Sequence, residues 1–160
     1  MPFNSKSHTP LILAIVWITL GLSSAWAARG EKLELIKADK ISAFTRGGQA
    51  YRRLVGDVKL RRGDAILTCD LAEFMVDKDE ARLTGQVTIT TKESRLSGKV
   101  AHYYGDREYV ELLGDARFED DPYFVTAEKL AYYIDQKRVL ATDNPALVDS
   151  GSTLTADTIY

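Results

Sequence analysis

The segment Arg52–Glu80 reads RRLVGDVKLRRGDAILTCDLAEFMVDKDE, and its pattern returns every 29 residues. Three further segments align with it without gaps: Ala81–Tyr109 (ARLTGQVTITTKESRLSGKVAHYYGDREY), Val110–Arg138 (VELLGDARFEDDPYFVTAEKLAYYIDQKR) and Val139–Tyr160 (VLATDNPALVDSGSTLTADTIY). Self-similarity at a fixed period is typical of repeat architectures, in which each repeat is one supersecondary unit. We therefore expect a fold built from copies of one such unit.

The first half of each unit carries a glycine followed by alternating apolar and polar residues. The glycines are Gly56, Gly85 and Gly114, and Asp143 stands at the fourth position. A period of two predicts strands with one buried and one solvated face. Glycine, or aspartate in its place, suits a β-bulge or a residue with positive φ. Polar turns follow in every unit.

The second half begins with an apolar-x-small-polar signature. It occurs as Leu67–Asp70, Leu96–Lys99, Val125–Glu128 and Leu154–Asp157, and a fifth copy, Ile36–Asp39, lies upstream. After the small residue the apolar parity shifts, so that Cys69 is followed on the same face by Ala72, Phe74 and Val76. A parity shift at a small residue indicates a bulge or corner where the sheet bends.

The whole pattern predicts an all-β protein. No segment shows a sustained helical period, and each unit supplies roughly two strands joined by short polar turns. Such turns favour antiparallel neighbours. A parallel β-helix with one coil per repeat is the alternative that the pattern leaves open.

The N-terminus has the features of a signal peptide over residues 1–27. An apolar run of 12 residues, Leu11–Leu22, is short for a membrane span, and Ala25-Trp26-Ala27 supplies a small-x-small cleavage pattern. We expect export, with one domain over residues 28–160; an uncleaved anchor is the alternative. Cys69 is the only cysteine, so we expect no internal disulfide and interpret it as a small packed residue.

Composition and motifs point away from catalysis. Net charge is −2 with interspersed signs, which does not favour nucleic acid as a partner. His102 is the one histidine after the signal peptide, and no metal-ligand spacing or catalytic triad can be assembled, so we predict a non-enzyme without a cofactor or metal. Asp77, Asp106 and Asp135 are expected in turns, with a calcium ladder as the alternative. The Arg52-Arg53 and Arg61-Arg62 pairs are expected on the solvated face of strands, with an anion contact as the alternative.

Strand parity collects twelve apolar residues on one inward face. In a closed structure they form a core, and in an open trough they form an apolar groove suited to acyl chains, since burying a methylene yields about 0.8 kcal/mol. The candidate lipid-groove residues are Val58, Leu60, Leu67, Phe74, Val87, Ile89, Leu96, Tyr103, Phe118, Val125, Leu130 and Tyr132.

The repeats resemble the OstA-like (organic-solvent-tolerance-like) N-terminal domain family, shared by the lipopolysaccharide transport proteins LptA and LptD. The resemblance rests on the pairs Gly56-Asp57, Gly85-Gln86 and Gly114-Asp115, with the Leu-Thr-Cys-Asp and Val-Thr-Ala-Glu segments. The resemblance implies a twisted antiparallel β-jellyroll shaped like a taco. It also implies a periplasmic protein of outer-membrane assembly, whose trough carries the lipid A acyl chains of lipopolysaccharide. The competing interpretation is a structural β-repeat scaffold that binds protein edges without lipid.

The resemblance further implies edge-to-edge addition of other jellyroll domains. Unpaired edge strands are templates for β-augmentation, and the candidate edges are Leu33–Phe44 and Thr153–Tyr160. Partners are therefore expected to be lipopolysaccharide and other jellyroll transport proteins, with possible head-to-tail self-association. The last unit stops one residue before the position that matches Tyr103 and Tyr132, so we expect either a fragment of a longer protein or a partner that caps the last strand.

Overall fold

The computed structural model describes residues 33–149 and 151–160. The expected signal peptide, residues 1–27, lies outside them. The described chain forms a short 3-10 helix, Gly105–Arg107, and the following twelve strands: β1 Glu34–Lys37, β2 Lys40–Arg46, β3 Gln49–Arg62, β4 Ala65–Met75, β5 Glu80–Thr90, β6 Arg95–Tyr104, β7 Tyr109–Asp120, β8 Tyr123–Tyr133, β9 Arg138–Thr142, β10 Ala146–Asp149, β11 Ser152–Thr155 and β12 Thr158–Ile159.

All twelve strands join one antiparallel sheet that does not close. Strands β3 to β8 are paired in sequence order, β1 and β2 both pair with β3 at one end, and the other end carries β10–β11 and β9–β12 beside β8. The antiparallel all-β prediction is thus confirmed, and the parallel β-helix alternative is wrong. The short polar turns predicted between strands explain the antiparallel pairing.

A line of bulges crosses the sheet, and we call this line the bend. Between Val55 and Val58 of β3 the register shifts, so that Gly56 and Asp57 lie opposite Asp70 alone. Equivalent shifts interrupt the pairing of β4 with β5, β5 with β6, β6 with β7, and β7 with β8. The corner that the parity shift predicted after Cys69 therefore exists, and it recurs in every unit.

The bend is built from residues in the left-handed region. Gly56 has φ +78° and Gly85 has φ +81°, and each is followed by a second residue with positive φ. A Cβ on Gly85 would lie 2.2 Å from Asp70 Oδ2, so both the conformation and the close approach require glycine. Asp143 takes the same role with φ +60°, as the repeat predicted.

The bend divides the sheet into two layers that face each other. Layer 1 contains β1, β10, β11 and residues 58–62, 65–69, 87–90, 95–98, 116–120 and 123–127; layer 2 contains β2, β9, β12 and residues 49–55, 71–75, 80–84, 100–104, 109–113 and 129–133. Residues of both layers share one buried core. The rings of Phe118 and Tyr132, far apart in register, meet 6.2 Å apart across the interior.

Two details differ from the sequence-based expectations. Val76 was expected to face inward but is 53% exposed, because it already belongs to the turn after β4. The expected edge Leu33–Phe44 is divided into β1 and β2, one strand in each layer, with Asp39 at the bend between them; the Asp39 N–H donates to the Gly56 carbonyl. Within the described residues no helix is long and apolar enough to cross a membrane.

Candidate functional site

The twelve candidate groove residues all lie on faces that point between the layers. Nine of them are buried: Val58, Leu60, Leu67, Val87, Ile89, Leu96, Tyr103, Val125 and Leu130. Phe74, Phe118 and Tyr132 are partly buried against the core. Their inward position is a structural fact, whereas their role as lipid contacts stays a prediction. The centre of the molecule is a packed core.

Sequence parity missed a second set of inward residues, one per unit. Leu54, Leu83 and Leu112 are 1%, 0% and 0% exposed, which places them among the most buried side chains. Each stands two positions before the glycine of its unit. That constant spacing is visible in the sequence, but the alternating pattern that predicts the inward face begins only after the glycine. These leucines line the layer 2 side of the interior.

The interior opens at the β1 end into a cavity of about 1030 Å³, which we call the end cavity. Its apolar wall includes Leu35 and Leu60 from layer 1, Leu54 and Phe74 from layer 2, and Leu33 just before β1. Exposed charged turns, including Asp77, Lys78 and Asp79, form its rim. Small-molecule sites in proteins usually occupy about 300–1,000 Å³, so this space is large enough for a ligand.

Opposite the bend, the turns of the two layers face each other, and we call this margin the mouth. Residues 63–64, 91–94 and 121–122 line it from layer 1, and residues 76–79, 105–108 and 134–137 line it from layer 2. A second cavity of about 240 Å³, the mouth cavity, lies between the two rows of turns. Apolar Phe118, Tyr132 and Ile134 form part of its lining, together with charged Arg62, Glu93 and Lys137.

Arg62 does not lie on a solvated strand face, so that expectation is wrong for this residue. Its side chain is only 9% exposed, and its Nη2 lies 3.2 Å from Glu108 Oε1 in the opposite layer. Arg62 faces inward because it shares the parity of Val58 and Leu60 in β3. Its guanidinium also lies 5.9 Å from the centre of the Tyr103 ring. By contrast, Arg53 follows the expectation and pairs with Glu73 on the outer face.

The electrostatics of the interior match a space from which water is largely excluded. Burial raises the pKa of the Cys69 thiol to about 11. Burial likewise raises the pKa of Tyr103, although the nearby Arg62 guanidinium counteracts part of that rise. A thiol held in its neutral form is unreactive, in line with the interpretation of Cys69 as a packing residue.

The outer face of layer 2 carries a row of aromatic side chains. Tyr104, Tyr109 and Tyr133 stand in register on β6, β7 and β8 with ring centres 5.4 Å and 5.3 Å apart, and His102 stacks on Tyr104. Such cross-strand pairs stabilise sheets. In the described part of the chain no group of three or more His, Cys, Asp or Glu residues could hold a metal ion.

The fold and interior define a class: a repeat-built antiparallel β-jellyroll with an apolar space between its layers. The chain belongs to the OstA-like protein family, whose model matches residues 30–160. A solved structure of LptH from Pseudomonas aeruginosa, described as the LptA homologous periplasmic component of the lipopolysaccharide transport device, is similar with a TM-score of 0.62. The two chains are 20% identical, and the match covers 82% of this chain and 96% of LptH. A comparison with curated protein sequences returned no match.

Proposed function

We propose that this chain is a periplasmic, non-enzymatic component of lipopolysaccharide transport, and that it holds the lipid A acyl chains between its two layers. The observation that carries the proposal is the end cavity of about 1030 Å³, whose apolar wall continues into the buried core. Membership of the OstA-like family and the similarity to LptH support it. Passive transfer of an acyl chain needs only an apolar path, because burying each methylene yields about 0.8 kcal/mol.

The packed centre favours a second candidate, a structural β-repeat that binds no lipid. Nine of the twelve candidate residues are buried, so an acyl chain can pass beyond the end cavity only if the layers separate. The two candidate functions therefore make different predictions for the end cavity and the same prediction for the packed core. Phe74, which lines the end cavity and is partly buried, is the residue at which they can be told apart.

Site-specific photo-crosslinking at Phe74 tests the proposal. A photoreactive phenylalanine analogue at Phe74 should form an adduct with purified lipopolysaccharide, and the same analogue at Lys59, exposed on the outer face of β3, should not. Polysaccharide stripped of its acyl chains should give no adduct at either position. Equal labelling at Phe74 and Lys59, or no labelling of a folded Phe74 variant, would contradict acyl binding and favour the scaffold.

We also propose edge-to-edge association with other jellyroll domains or with further copies of this chain. Each end of the described sheet offers one strand per layer: β1 and β2 at one end, β11 and β12 at the other. Their exposed apolar side chains include Ile36, Ile41 and Leu154 at 43%, 56% and 57% exposure. A second jellyroll could therefore continue both layers. Ile36→Lys or Leu154→Lys should shift sedimentation toward monomer at high concentration; unchanged association would rule out these edges.

A further inference from the structure

Two ion pairs cross the mouth from one layer to the other. Arg62 Nη2 lies 3.2 Å from Glu108 Oε1, and Lys137 Nζ lies 3.1 Å from Glu93 Oε2. The remaining ion pairs of the described residues lie within one layer or along the bend. These two pairs are therefore the charged contacts, within that part of the chain, that hold the two rows of turns together.

The layer 2 members of the two pairs occupy equivalent places in successive repeats. Glu108 and Lys137 are 29 residues apart, and both have left-handed backbones, with φ of 48° and 46°. Their partners lie 46 and 44 residues upstream along the chain. The basic residue belongs to layer 1 in the first pair and to layer 2 in the second. In both pairs the layer 1 residue precedes the layer 2 residue along the chain. A turn position of the repeat thus supplies the layer 2 member of each cross-mouth pair.

Among the residues that the structure describes, the first copy of this turn position has no such partner. Asp79, 29 residues before Glu108, has the same left-handed backbone with φ 49°. Among the described residues no ion pair joins Asp79 to layer 1; the layer 1 side chains that share a cavity with it, Leu35 and Leu60, are apolar. That cavity is the end cavity. Within the described residues, the mouth is consequently bridged by charge over two units, and no ion pair bridges it at the β1 end.

We infer that the two ion pairs are clasps that keep the mouth shut. The Arg62–Glu108 clasp is the stronger, because its side chains are 9% and 24% exposed and attraction between charges grows as water is excluded. The Glu93–Lys137 clasp, at 71% and 73% exposure, is screened by solvent.

The rate at which a reagent labels the native thiol measures opening of the mouth in the absence of lipid. Cys69 is the only cysteine, is 5% exposed and belongs to the core between the layers, so a thiol reagent reaches it only when the interior opens. In lipid-free protein, Arg62→Glu should speed labelling of Cys69 by about tenfold, equivalent to about 1.4 kcal/mol in opening free energy. The exchange Arg62→Glu/Glu108→Arg should return the rate close to that of the wild type.

Arg53→Glu is the matched control, because Arg53 pairs with Glu73 inside layer 2 and its loss leaves the mouth unchanged. Glu108→Gln serves as a milder variant if Arg62→Glu does not fold, and it should also speed labelling. The clasps are disproved if Arg62→Glu or Glu108→Gln labels no faster than Arg53→Glu, or if the exchange of charges restores nothing.

Discussion

The bend and the mouth are the two long margins of one folded sheet, and different forces hold them. At the bend, backbone residues with positive φ and close packing against Asp70 fix the corner. At the mouth, the layers are joined by side-chain charges such as Arg62 and Glu108. A corner made by the backbone cannot relax without unfolding, whereas an ion pair can break and re-form. The molecule thus has one permanent margin and one that can open.

The largest effect is expected from breaking the bend. Gly85→Ala should lower the free energy of unfolding by about 3 kcal/mol, because the new Cβ would combine left-handed strain with overpacking against Asp70. Gly48→Ala is the matched control: Gly48 has a similar φ of +77° but nothing within 4 Å of its Cβ position. That control should lose about 1 kcal/mol from strain alone. Urea unfolding of both variants gives the comparison.

Equal losses for the two glycines would mean that Asp70 moves aside at no cost. The corner would then depend on the backbone conformation of Gly85 alone, and the close contact would contribute nothing to its rigidity.

The bend could be predicted from sequence and the mouth could not. Glycine recurs at 56, 85 and 114 with aspartate at 143, and a residue that needs positive φ is visible as a residue type at a fixed spacing. The parity shift after Cys69 has the same local origin. The inward position of Leu54, Leu83 and Leu112 could also be predicted, since their spacing to the glycine is constant.

The clasps could not be predicted from the sequence, because they depend on which residues come close in space. Arg62 and Glu108 are 46 residues apart, and the sequence indicates only that one follows a strand and the other ends a turn. Which turns of layer 1 face which turns of layer 2 is decided by the twist and closing angle of the whole sheet. The end cavity depends on the same angle, so its size was beyond prediction as well.

An intermediate effect is expected from the clasps. Arg62→Met should cost about 2 kcal/mol of unfolding free energy, because it leaves the partly buried Glu108 carboxylate without its partner. Lys137→Met, which breaks the exposed pair with Glu93, should cost little unfolding free energy at low salt and none at high salt. Thermal and urea unfolding at two salt concentrations separate them. Similar, salt-sensitive losses for both variants would place the Arg62 pair in solvent.

The smallest effect is the pH dependence of the unfolding free energy that comes from the buried Cys69 thiol beside the bend. Burial raises the pKa of Cys69 from 9.0 to about 11, so the unfolded chain releases the thiol proton first. The unfolded state binds fewer protons between these two values, and stability must fall as pH rises through them. The stabilising contribution of the neutral thiol is complete below pH 9 and lost towards pH 11.

Cys69→Ala removes this dependence with little change in packing, since the matching residues of later units are Gly98 and Ala127. Tyrosines and lysines titrate in the same range, so the quantity to measure is the unfolding free energy of the wild type minus that of Cys69→Ala. This difference should decline between pH 9 and 11. A constant difference would mean that water reaches the thiol in the folded state, and the interior beside the bend would then not be sealed.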